Sequence, residues 1–272
     1  MYRLGLPVPP AFTLAAPLCG DYHQNKVTKK EWMDEVRTAV GKIESKTGNK
    51  FGGELGASRP LMFSVRSSMT KDMPEDMLRT ILNLGINRSI VDALTQQTNS
   101  GRWALQTYIK FLKSFGTQVM NVDPAKFDKV LETIRTRKNL PLDSLFTIED
   151  LNEVVDKFRL LAIIPDDPFE QLEMAIEGMY KTWYSTKATQ YRDIHNLKDS
   201  GVAVTVQAMV FGNINVLSGT GVAVTRHPYT GKKEMFGYYM ANTEVSLPHI
   251  FQPRSHQLIV LKWQTKFNLR YF

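Results

Sequence analysis

The sequence holds a single cysteine, Cys19, among 272 residues, so the chain can close no disulfide within itself. That accords with a reducing compartment. No apolar run approaches the roughly 18–20 residues that a membrane-spanning helix needs. Met1 to Pro10 lacks the charged segment and long apolar segment of a secretory signal. The expected location is the cytoplasm, or an organelle if a targeting segment lies upstream, and no membrane partner is expected. Neither a Walker A sequence nor G-x-G-x-x-G is present. The five histidines, at 23, 195, 227, 249 and 256, lack metal-ligand spacing. No Ser, His and Asp arrangement has the local context of a nucleophilic triad. Long basic runs are missing too. The 34 Lys and Arg exceed the 27 Asp and Glu by 7, but they are dispersed. A solvated cationic surface is therefore expected, and nucleic acid is not an expected partner.

What is present is the composition of a globular protein, 43% apolar and 22% charged, with enough chain to bury a substantial core. The first thirty residues read as irregular, beginning with the turn-rich Gly5-Leu6-Pro7-Val8-Pro9-Pro10. A helix is expected from about Glu31 to Lys46, where Trp32, Val36, Val40 and Ile43 recur at three- and four-residue steps. Leu61 to Val65 reads as a short strand. Helices then dominate from about 87 to 185. Asn87 suits a cap, Gly116 reads as a helix stop, and Asp123-Pro124 is a helix start. Thr147 and Asp150 suit a capping box, and a last helix carries Phe169, Leu172, Ile176, Met179 and Trp183. The period then changes. Val202 to Phe211 reads as a buried strand, Gly221 to Thr225 as a second and Glu234 to Met240 as a third. The composition shift near 185–200 is the expected boundary.

Four segments carry chemistry-bearing residues. Ser218-Gly219-Thr220-Gly221 joins two expected strands, and its glycines would let backbone N–H groups converge on phosphate oxygens. The same residues also suit an ordinary hairpin turn. Arg66 ends a strand in Ser64-Val65-Arg66-Ser67, and a guanidinium holds two phosphate oxygens at once. Thr225-Arg226-His227-Pro228 and Tyr191-Arg192 supply further cations, with His227 read as a loop residue. These residues alone leave the chemistry open.

The order of segments is more specific. Leu4 to Thr13, Phe63 to Ser67, Thr80 to Asn87, Val206 to Asn213, and Ser218 to Gly231 follow one another as in the nucleotide-binding region of the pyruvate, phosphate dikinase family. The sequence resembles that family from about Leu4 to Asn242. The resemblance implies an α+β, ATP-grasp-like fold, with a helix-rich segment followed by an antiparallel β-rich subdomain. It divides the chain into 1–86, the N-terminal part of the ATP-grasp region; 87–199, the helical segment; 200–245, the β-rich nucleotide-binding subdomain; and 246–272, a tail that leaves the family pattern. It also implies ATP and Mg2+ as cofactors. The complete enzyme converts ATP, phosphate and pyruvate into AMP, diphosphate and phosphoenolpyruvate. Its phosphohistidine and pyruvate-binding domains would then be partners supplied separately.

By the same resemblance Arg66 would contact the phosphates in a catalytic role. Gln207, Ala208, Met209 and Val210 would line the adenine, Ser218, Gly219, Thr220 and Gly221 would flank the triphosphate, and Arg192 and Arg226 would match family arginines. The chain departs from the family in four places. The family's glycine-lysine loop, expected before Leu4, is not in this sequence. Ser68 and Glu75 stand where the family has loop glycines. Tyr238 stands where a carboxylate metal ligand is expected, which leaves Glu244 as the candidate donor for magnesium. Two readings follow: an ATP-binding part of a phosphotransferase that does not act alone, or a non-catalytic nucleotide-binding or regulatory relative.

Overall fold

The computed structural model describes residues 2–25, 30–53, 59–68, 79–197, 201–243 and 259–260. The chain forms two compact units: Pro9–Met209, and Met1–Val8 together with Val210–Phe272.

The larger unit is built on a four-stranded antiparallel sheet. Its strands are β1 (Ala11–Leu14), β4 (Phe63–Ser68), β5 (Thr80–Leu84) and β6 (Ala203–Ala208), in the spatial order β1-β6-β4-β5. A parallel pair of two-residue strands, β2 (Lys50–Phe51) and β3 (Pro60–Leu61), stands apart from it. Eight α-helices are described in this unit: α1 (Pro17–Asn25), α2 (Lys30–Thr47), α3 (Arg88–Thr98), α4 (Gly101–Gln118), α5 (Pro124–Lys138), α6 (Ile148–Leu161), α7 (Pro168–Trp183) and α8 (Thr186–Ile194).

The helix starts follow from their caps. Asn87 Oδ1 accepts the Ile90 N–H at 3.0 Å. Asp123 and Asp167 cap α5 and α7, each with a proline in the first turn. Thr147 and Asp150 form the reciprocal capping box of α6. Gly116 does not stop α4. It lies inside the helix, where a Cβ would come within 2.6 Å of the Phe127 ring. The glycine is there for close packing, since Phe127 stacks edge-on against Phe158 with ring centroids 4.8 Å apart.

One face of the four-stranded sheet is the core. Phe63, Val65, Ile81, Val204 and Val206 are fully buried, with α7 packed against β4 and β5 and α1 against β6. Buried Gln171 on α7 secures the corner after β5. Its amide accepts the Gly85 N–H at 2.9 Å and donates to the Ile86 carbonyl at 3.2 Å. Gly85 has φ +100°, and a Cβ there would meet Phe51 at 2.5 Å, so this corner requires glycine.

The first thirty residues are more ordered than expected, because β1 and α1 are local elements completed by tertiary pairing with β6. The boundary expected near 185–200 is displaced for the same reason. β6 belongs to the sheet of the larger unit, and the division falls between Met209 and Val210.

The smaller unit contains an antiparallel sheet of β7 (Gly219–Val224), β8 (Phe236–Ala241) and β9 (Ile259–Val260). β7 and β8 are joined by the turns around Arg226 to Glu234. Together the two units are a mixed α+β architecture. Among the described residues, no helix is long and apolar enough to cross a membrane.

Candidate functional site

Strand alternation gives the four-stranded sheet a second, polar face. Residues directly opposite on paired strands point to the same side. Thr13 of β1 stands opposite Thr205 of β6, Thr205 opposite Arg66 of β4, and Arg66 opposite Thr80 of β5. These four residues form one row across all four strands. The Thr13 and Thr205 hydroxyls hydrogen-bond at 3.0 Å, which fixes them on one side. Ser64 and Gln207, a second opposed pair, lie two residues along on the same face. Val65, Val204 and Val206 alternate onto the core side.

Arg66 is exposed, and it is the one charged residue in the four strands. No ion pair of Arg66 is found among the described residues. Its neighbours are hydroxyls, and no carboxylate lies on the sheet. A guanidinium among neutral donors, with no acid paired to it among the described residues, presents a positive, hydrogen-bonding surface to an oxyanion.

Gln207 belongs to this face as well. Its Nε2 donates to the Pro9 carbonyl at 3.2 Å, and its own carbonyl accepts from the Ser64 hydroxyl at 3.5 Å. The N–H groups of Ala208 and Met209 are engaged by the carbonyls of Pro10 and Met62, both at 2.9 Å. Met209 sulfur in turn accepts the Asn83 N–H at 3.0 Å. The backbone expected to line an adenine is thus held to the sheet at Ala208 and Met209. Val210, where the smaller unit begins, is 64% exposed.

The smaller unit presents its expected residues differently. Gly219, Thr220 and Gly221 are extended residues of β7, paired with Ala241, Met240 and Tyr239. Neither glycine has a positive φ, so the left-handed turn of a phosphate nest is not formed. Gly219 is required instead by close packing, because a Cβ there would lie 2.1 Å from the Tyr239 hydroxyl. The hydroxyls of Ser218 and Thr220 turn inward. Ser218 donates to Asn215 Oδ1 at 3.3 Å and Thr220 to the Thr243 carbonyl at 2.6 Å.

Arg226 lies two residues past Val224, the far end of β7, which is itself about 17 Å from Gly219 at the usual rise per residue, and it donates to the Gly231 carbonyl at 3.2 Å. His227 is a turn residue. Its Nδ1 accepts the N–H groups of Tyr229 and Thr230, both at 3.3 Å.

Arg192, expected near the nucleotide, is 6% exposed within the larger unit. Its guanidinium donates to the Trp183 carbonyl and lies over the Trp183 ring, 4.1 Å from the centroid. That geometry ties α8 to the end of α7.

A metal site is not evident. Among the described residues no group of three or more His, Cys, Asp or Glu could hold an ion. β8 carries Tyr238 and no carboxylate. The described residues therefore do not fit magnesium. Glu75 and Glu244, which the sequence singled out, lie outside the described residues.

With this geometry in view, comparison with known proteins identifies the lineage. Residues 19–240 match the family model described as the AMP/ATP-binding domain of pyruvate phosphate dikinase. The chain belongs to that family. It is 38% identical over 251 residues to pyruvate, phosphate dikinase of Rickettsia felis, 36% over 253 to that of Giardia intestinalis, and 35% over 252 to the chloroplastic enzyme of Flaveria trinervia. Each of these alignments covers 90% of this chain. The chain spans 26% to 28% of the length of these relatives. It is therefore homologous to the nucleotide-binding portion of the dikinases. The matched residues include the whole of β4, β5, β6 and β7, and with them Arg66 and Thr205.

The sequence found Arg66 through its strand-end position but missed Thr13, Thr80 and Thr205. For Thr205 the signal is the alternation Val204-Thr205-Val206-Gln207, which reads as one polar and one apolar face. The β-branched run reads instead as a buried strand.

Proposed function

We propose that this chain is the ATP-binding part of a pyruvate, phosphate dikinase-like phosphotransferase, with an ATP-grasp organisation, and that it takes the nucleotide's phosphates on the open face of the larger unit. The observation that carries this reading is Arg66, alone as a charge on a sheet face of hydroxyls. Phosphoryl transfer asks the protein for cations around phosphate oxygens and for alignment, more than for covalent chemistry.

In this reading Arg66 binds phosphate oxygens. Gln207 to Val210 form the adenine side, with Ala208 and Met209 contributing shape and carbonyls, because their N–H groups are engaged. Ser218 to Gly221 and Arg226, in the smaller unit, are proposed as phosphate-binding residues by the family resemblance. Arg192 serves the packing of α8. Where magnesium accompanies ATP, Glu244 is the proposed donor from this chain, in place of the carboxylate that Tyr238 replaces. The acceptor chemistry toward phosphate and pyruvate is assigned to further domains, which need not be on this chain.

The test is calorimetric titration of the chain with ATP, with and without magnesium, beside Arg66→Ala. The proposal expects saturable binding that the variant weakens at least tenfold, since a charge-assisted contact contributes roughly 1.5–3 kcal/mol. A folded chain that does not bind ATP would refute it.

A second reading, a non-catalytic nucleotide-binding or regulatory relative, is favoured by the absence of a carboxylate on β8. It predicts ATP binding with no phosphoryl transfer to phosphate or to a supplied phosphohistidine domain. Detected transfer would remove it.

A further inference from the structure

The geometry points to Thr13, Thr80 and Thr205 as hydroxyl ligands that, with Arg66, form a transverse track for a polyphosphate chain. This rests on the proposed ATP site and deepens it, naming which groups read the ligand and which part of the ligand they read.

The argument begins with register. Thr13, Thr205, Arg66 and Thr80 occupy one row, each directly opposite the next on paired strands. Adjacent strands lie about 4.8 Å apart, so the row spans about 14 Å. A single phosphate would engage Arg66 and one neighbour. A chain of phosphates lying across the strands would meet Arg66 and hydroxyls on either side of it.

Proton count supports the same reading. Thr13 and Thr205 share one hydrogen bond, which uses one of their two hydroxyl protons. The other proton is left for an acceptor beyond the pair. The exposure of the row also suits a ligand. Thr13 and Arg66 are exposed, and Thr80 and Thr205 are half-buried. The valines that alternate with Thr205 are fully buried on the other face. The core therefore explains the valines and leaves the threonines unexplained. Threonine is well suited to a strand, but so is valine, and three threonines beside the one arginine of the four strands add donors that packing does not need. No carboxylate on the four strands opposes an anion here.

The test uses the full chain and three probes: ATP, inorganic tripolyphosphate and orthophosphate. Thr205→Val keeps shape and strand preference but removes the central hydroxyl, and Thr205→Ser restores it. Thr80→Val is a second variant at the sheet edge, where repacking is easiest. Thr38→Val on α2, whose hydroxyl is engaged by the Asp34 carbonyl at 2.9 Å, is the control.

The expected result is tripolyphosphate binding tighter than orthophosphate, weakened about tenfold by Thr205→Val. Thr80→Val should weaken it several-fold, Thr205→Ser should restore it to near wild type, and the control should leave it unchanged. Equal affinity for tripolyphosphate and orthophosphate would overturn the track. So would unchanged tripolyphosphate affinity in both valine variants while Arg66→Ala abolishes it, which would leave the arginine acting alone. ATP binding without tripolyphosphate binding would overturn the track but not the nucleotide site. Binding of neither by the wild type would overturn both.

Discussion

The two sheets of this protein share antiparallel pairing and little else. The four-stranded sheet of the larger unit has one face sealed by helices, with Phe63, Val65, Ile81, Val204 and Val206 at or near zero exposure. In the smaller unit, β7 has no fully buried residue, alternating only between half-buried and exposed. Among the described residues, every fully buried apolar side chain lies between Leu14 and Ala208, within the larger unit. Val216, Leu217 and Tyr229 in the smaller unit are 78%, 90% and 82% exposed. Hydrophobic burial is the dominant stabilising term, so the two regions have different sources of order. The larger unit holds a rigid platform on which a polar row can be exact in register. The smaller unit is organised by glycine packing and short polar contacts, such as Gly219 under Tyr239 and Thr220 on the Thr243 carbonyl.

The widest gap between the regions should appear in side-chain truncation. Phe158→Ala, at zero exposure in contact with Phe127, should cost about 3–5 kcal/mol in chemical denaturation. Leu217→Ala, at 90% exposure, should change stability by no more than about 0.5 kcal/mol. A comparable loss from both would break the comparison.

The arginines sharpen it further. Arg192→Ala should destabilise the larger unit by about 2 kcal/mol, through the lost charge-assisted bond to Trp183. Arg226→Ala, exposed at a turn, should fall within about 0.5 kcal/mol. Thermal unfolding followed by circular dichroism would read both.

A smaller effect tests the tightness of helix packing. Gly116→Ala retains the helix but drives a methyl toward Phe127 and Ala162, and should destabilise by about 1–3 kcal/mol despite alanine's better helix propensity. A stabilised variant would show that the α4 contact with Phe127 is looser than described.

The smallest effect is electrostatic. Hydrogen bonds from Arg137 and Lys157 hold the Glu153 carboxyl at about 2, below its usual 4.5. A carboxylate depressed in the folded state contributes stability that is present above its unfolded value and is lost as pH falls. The α5–α6 contribution should therefore be intact above about pH 4.5 and vanish toward pH 2. The pair is surface-exposed, so the change is modest and salt-sensitive. Denaturation midpoints of Glu153→Gln should show a flatter acid limb across that window, and identical limbs would contradict the assignment.

The contrast also explains what the sequence could disclose. Helix limits marked by caps, such as Asn87, Asp123-Pro124 and Thr147 with Asp150, are written locally and were legible. Gly116 was misread because a glycine that stops a helix and one that admits an aromatic ring look alike without the ring. β1 was hidden because a four-residue strand acquires its meaning only from β6, nearly two hundred residues away. The same holds for the site. Arg66 was visible by type and resemblance, whereas its three hydroxyl neighbours come from three other strands and are joined only by register. The glycines of Ser218 to Gly221 suggested a nest, but glycine can serve close packing as readily as a left-handed turn, and here Tyr239 decides between them.

Hydrogen exchange with and without ATP, in the wild type and in Arg66→Ala, tests the central claim most directly. The account predicts that saturating ATP slows exchange in the peptides covering Phe63–Ser68 and Ala203–Ala208, and that Arg66→Ala removes that protection at equal ATP. Bound ATP that leaves both strands unchanged and protects only residues outside the sheet would contradict it.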